Sequence, residues 1–70
     1  MSVRRGVVTA FDEHAGHGLV QDAGTGREHF LHCTAIADGS RTIPVGVEVS
    51  FRVAPGHNGK WEAVDVERIY

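Results

Sequence analysis

Apolar and polar residues alternate along this chain in short runs, and no window of helical length keeps apolar residues at helical spacing. The clearest run is Val45 to Val53. Val47, Val49, Phe51 and Val53 share one face of an extended strand, and Glu48, Ser50 and Arg52 share the other. Gly6-Val7-Val8-Thr9-Ala10-Phe11 forms an earlier run, closed by Asp12 to Gly16. His17-Gly18-Leu19-Val20-Gln21 follows, closed by Asp22-Ala23-Gly24-Thr25-Gly26, a strong turn signal. Glu28 to Cys33 is the third run, and a looser stretch from Thr34 to Pro44 separates it from the fourth. Pro55 to Gly59 reads as a turn, and the last run goes from Trp61 to Val66, extendable to Ile69. The pattern predicts an all-β chain of five short strands with one long connection after the third. Five antiparallel strands of this length must close on themselves to hide their edges and bury a core, so the expected architecture is a small five-stranded antiparallel β-barrel. No repeat, low-complexity tract or linker interrupts it.

Composition narrows the class. The 70 residues make one domain, 1–70, at roughly 100–200 residues per domain. Cys33 is the single cysteine, so no intrachain disulfide supports the fold. Hydrophobic residues at 41% and charged residues at 23% are ordinary for a globular protein and exclude a disordered chain. No apolar run approaches the ~20 residues that span a bilayer. The opening Met1-Ser2-Val3-Arg4-Arg5 meets Asp12 and Glu13 too soon for a signal peptide, and with a single thiol this points to the cytoplasm. Arg4 and Arg5 read as a solvated chain end. Nine acidic residues against seven basic give a formal charge of −2, which argues against binding driven by phosphate attraction alone.

Five segments, in order and at matching intervals, carry a resemblance from about Arg5 to Val66. Gly6-Val7-Val8-Thr9-Ala10-Phe11-Asp12 opens it. Gly16-His17-Gly18-Leu19-Val20 and His29-Phe30-Leu31-His32-Cys33-Thr34-Ala35-Ile36 stand where two ribonucleoprotein motifs belong. Gly46-Val47-Glu48-Val49-Ser50-Phe51 and Ala63-Val64-Asp65-Val66 close it. The chain resembles the cold-shock domain family, OB-fold barrels that bind single-stranded RNA and DNA. The resemblance implies a stacking platform on an exposed sheet face, where aromatic rings meet the flat faces of splayed bases at about 1–3 kcal/mol per base. Its residues here would be Phe30 and His32, which share a face, helped by His17 and Leu19 on the neighbouring strand, by Phe11 and by Trp61. Arg41 and Lys60 would lie near phosphates.

The scaffold matches better than the platform. Thr9 and Ala10 stand where the family has lysine and tryptophan, Ala15 replaces a second lysine, His17 and Leu19 replace two aromatics, and Cys33 and Ser40 replace two more. The expected function is therefore weak single-stranded nucleic-acid binding with little sequence preference. The alternative is a protein-interaction or homodimerisation module that reuses the same face. Phe11 is open to core packing as much as to base contact, and Trp61 to partly buried packing at the barrel end.

Other chemistry fits less well. His14/His17 and His29/His32 are spaced His-x-x-His, but residues three apart on a strand point to opposite faces, so no metal site is expected. The resemblance implies an inward position for His29, which then reads as a core histidine. Cys33 as a nucleophile needs a base, and along a strand His32 would point away from it. Gly16-x-Gly18 and Gly24-x-Gly26 open no helix, so no dinucleotide cofactor is implied. A barrel this small leaves little room for a small-molecule substrate, and no enzymatic activity is expected.

Overall fold

A computed structural model describes residues 3–56 and 61–69. Five strands follow the expected order: β1 Arg4–Asp12, β2 His17–Asp22, β3 Glu28–His32, β4 Glu48–Pro55 and β5 Trp61–Arg68. They close into a barrel in the order β1-β2-β3-β5-β4, with β4 returning to pair β1. Four of these ladders are antiparallel. The seam between β3 and β5 is parallel and short, with Phe30 opposite Glu62 and Leu31 opposite Ala63. The alternation of β4 holds: Val49 and Phe51 are buried, and Val47 and Val53 pack partly against them. With Val8, Val20, Leu31, Ile36, Ile43, Ala63 and Val66 they form the core.

Strand ends differ from the sequence reading where tertiary contacts decide them. β3 stops at His32, because Cys33–Ala35 turns into one 3-10 turn. β4 begins at Glu48, three residues later than the apolar run suggests. The turn expected at Pro55–Gly59 lies partly outside the described residues. The connection read as loose is anchored at both ends. Ile36 and Ile43 enter the core, the Gly46 N–H donates to the Val8 carbonyl at 2.8 Å, and the Val8 N–H donates to the Val47 carbonyl at 3.1 Å.

Two backbone features shape the sheet. β1 carries a bulge between Val8 and Ala10, which re-aims the residues after it. Gly18, opposite Phe11, has no space for a side chain, since a Cβ there would collide with the Ala10 carbonyl and lie 2.8 Å from the Phe11 Cα. Asp65 adopts a φ of +50°, a left-handed conformation that aspartate and asparagine tolerate better than most residues.

Arg4 and Arg5 are solvated, as expected, but they are not a loose end. Both belong to β1, and the Arg4 Nη1 donates to the Asp22 Oδ2 at 3.0 Å. Asp22 is only 3% exposed. Its Oδ1 also accepts the backbone N–H groups of Gly24 at 2.7 Å and Thr25 at 3.2 Å, which ties the β2–β3 turn together. Burial alone would raise the pKa of this carboxyl. The Gly24 and Thr25 donors and the Arg4 guanidinium outweigh it and hold the pKa below the ordinary aspartate value.

A carboxyl whose pKa is lowered by folding contributes stability that is complete above its unfolded pKa and is lost as pH falls through the folded value. Asp22→Asn keeps an acceptor for the turn but loses the charge. It should cost about 1–3 kcal/mol at neutral pH, and the gap to wild type should close as pH falls from neutral to below the ordinary aspartate value of 3.8. Thermal unfolding across that range checks it; a gap independent of pH would remove the charge from the account.

Candidate nucleic-acid interface

The period of two along β2 and β3 sends Val20 and Leu31 into the core and leaves His17, Leu19, Phe30 and His32 outside. Register does the rest. Leu19 lies opposite Phe30, and His17 lies opposite His32. The His17 and Phe30 rings meet diagonally, with centroids 5.3 Å apart and planes tilted by 36°. After its bulge, β1 places Ala10 opposite Leu19, Phe11 opposite Gly18 and Asp12 opposite His17. These residues line an open cleft of about 440 Å³ formed by Ala10, Phe11, Asp12, His17, Gly18, Leu19 and Phe30. Four of the residues expected from sequence thus converge: Phe11, His17, Leu19 and Phe30. Phe11 serves both of its readings, since it lines the cleft and also packs partly against the core.

His32 stands at the end of β3 and caps the turn that follows. The Thr34 N–H donates to its Nδ1 at 3.2 Å, and the Thr34 Oγ1 lies 2.8 Å from the same atom. With Nδ1 accepting, the neutral ring carries its proton on Nε2. The turn also corrects the expectation for Cys33. Because the strand has ended, Cys33 does not point away from His32; its half-exposed Sγ lies 4.0 Å from His32 Nδ1. His29 points inward, half-buried, with its ring centroid 6.0 Å from that of Phe51.

The remaining candidates lie apart. Trp61 opens β5, pairs with Pro55 and is 58% exposed, so it is not packed into the barrel end. It does not line the cleft. Arg41 is exposed on the long connection, also outside the cleft lining. Lys60 lies outside the described residues. Among the described residues, no three histidine, cysteine or acidic side chains converge as metal ligands.

Sequence reasoning did not single out the acidic side chains of this face. Asp12 lines the cleft, and its Oδ1 accepts the N–H groups of His14 and Ala15 at 2.9 and 3.1 Å. The Thr9 hydroxyl, at the position of a family lysine, donates to the exposed Glu28 carboxylate at 2.7 Å. The alternation of β3 put Glu28 on the face of Phe30, so that signal was present.

A family model described as the "'Cold-shock' DNA-binding domain" matches residues 4–69. The chain belongs to the cold-shock domain family. It is 38% identical over 58 residues to the cold shock protein CspB of Bacillus caldolyticus, covering 81% of this chain and 86% of that protein. It is 33% identical over 63 residues to glycine-rich protein 2 of Nicotiana sylvestris, covering 89% of this chain and 29% of that one. Among solved structures, drosophila Unr CSD456 superposes with a TM-score of 0.80 at 23% identity, over 99% of this chain and 27% of that one, a likeness of fold. The family's barrel is therefore intact.

The cap at His32 separates folding from binding at this cold-shock face. His32→Ala should destabilise by about 0.5–2 kcal/mol, whereas His32→Asn, which can still accept the Thr34 N–H, should retain most of that stability. Chemical denaturation of both variants decides it; equal losses would show that the cap contributes nothing.

Proposed function

We propose that this cold-shock domain binds single-stranded RNA or DNA, weakly and with little sequence preference, by stacking bases on the outer face of β1–β3. The observation that carries the reading is the apolar cleft in which Phe30, His17, Leu19 and Phe11 meet on an open sheet surface. Stacking accepts any base, because every base has a π-face. His32 adds an outward Nε2–H donor beside it. A chain with one thiol and no metal or cofactor motif fits a cytoplasmic, non-catalytic role. Trp61 and Arg41 join this reading as contacts outside the cleft, and Lys60 as a backbone contact.

A second reading is favoured by the carboxylates Asp12 and Glu28 on the same face, which phosphates avoid. There the face would pair with a protein partner or a second copy of this chain. Light scattering on the titrated sample separates a homodimer from a monomer.

The test is a titration of oligothymidine and oligouridine at low salt, followed by NMR. Shifts should concentrate on β2 and β3, and Phe30→Ala should weaken binding by about 5- to 150-fold. Silence of these strands at millimolar oligonucleotide would sink the nucleic-acid reading. Because few cations line the cleft, affinity should fall only shallowly with added salt.

Restoring a missing ring gives the converse test. Ala10→Trp places an indole opposite Leu19 beside the cleft and should tighten oligothymidine binding by a similar factor. An unchanged affinity in a folded variant would mean that bases do not stack here.

A further inference from the structure

Phe11 lines two clefts. On one side is the platform, and on the other is a cleft of about 430 Å³ lined by Phe11, Glu13, Thr42, Ile43, Pro44, Val45 and Arg68. That volume falls within the roughly 300–1,000 Å³ range of small-ligand sites. Its wall is held in place. Ile43 is 2% exposed, locked in the core, while Val45 two residues on is 60% exposed. The Gly46 N–H bond to Val8 fixes the far end of this segment, and Gly46 has a φ of +93° that suits glycine. Across the mouth, the Thr42 hydroxyl donates to the Glu13 Oε1 at 3.0 Å, which holds the long connection to the β1–β2 turn. An exposed valine on an anchored wall, facing a shared aromatic ring, is a preformed apolar surface continuous with the stacking platform.

We propose that a single strand bound at the platform continues past Phe11 into this second cleft, which takes one further nucleotide. The base would lie against Pro44, Val45 and Phe11, and its phosphate would approach Arg68, the cation of the cleft. The occupant is a nucleotide of the same strand because the two clefts share a ring, and a splayed strand presents its bases at successive positions. This inference rests on the nucleic-acid reading above.

The test is a series of oligothymidines lengthened one nucleotide at a time, titrated into the wild type and Val45→Asp. Val45 is exposed, so the variant should fold, and circular dichroism checks that. Wild-type affinity should keep rising for about one nucleotide beyond the length at which the variant levels off. The variant should be at least about fivefold weaker on the longer oligomers and equal to wild type on the shortest that bind. Arg68→Gln should lower the slope of log affinity against log salt by about 0.7, one phosphate's share for a single strand. If Val45→Asp matches wild type at every length, the second cleft is not used. If Arg68→Gln leaves the slope unchanged, the phosphate contact is wrong. If the wild type binds no oligomer, the platform reading falls, and this extension falls with it.

Discussion

The outer face depends on how closely β1 approaches β2 at Gly18. A Cβ there would strike the Ala10 carbonyl, so only glycine lets the two strands meet in this register. On one side of the β1 bulge, Val8 faces Val20 inside the core; on the other, Ala10 faces Leu19 outside it. Side chains alternate between faces with a period of two, so a slip by one residue would exchange Leu19 with Val20 and dismantle core and cleft together. The bulge and the glycine also bring Phe11 to the lip between inside and outside. The same contact that pairs β1 with β2 therefore shapes the cleft.

What the sequence made legible was what depends on local periodicity. The alternation of β4, the order of five strands and the shared face of Phe30 with His32 all follow from a period of two. The grouping of His17, Leu19, Phe30 and Phe11 also needed the register between strands, which the family resemblance supplied. What was not legible comes from contacts distant in sequence. Arg4 looked like a free end because its partner, Asp22, lies 18 residues away. Cys33 looked like a strand residue because nothing local says that β3 stops at His32. The stretch before β4 looked loose because its anchors, Ile43 in the core and Gly46 on Val8, exist only once the barrel has closed.

Charge has a different place in this molecule from the one its composition suggests. The excess of acid over base does not say which acids share the face of the rings; Asp22, for one, is buried and paired with Arg4 of β1. The acids that matter are Asp12 and Glu28, because they share the face of the rings. They set an electrostatic cost against every phosphate near the platform, and stacking must exceed that cost for a strand to stay. Two phenylalanines, a histidine and a leucine offer fewer contacts for this than the family's pattern of rings and lysines. The low affinity proposed above rests on that balance, whatever the net charge.

The low sequence preference proposed above rests on a separate cause. Reading a base requires polar groups that are free to meet its edge, and on this face most are already engaged within the protein. The Thr9 hydroxyl is given to Glu28, and the Gln21 amide donates to the Gly26 carbonyl at 3.2 Å. Asp12 Oδ1 holds the backbone of the β1–β2 turn, and His32 Nδ1 caps the turn after β3. Each of these bonds helps to fix the strands and turns that carry the platform, so none can be redirected to a base without loosening it. Apart from the His32 Nε2–H, flat apolar contact is most of what the face has left to offer, and flat contact does not distinguish one base from another. On the proposed function, the rigidity that lets so short a chain present a platform is thus what would keep the platform from reading sequence.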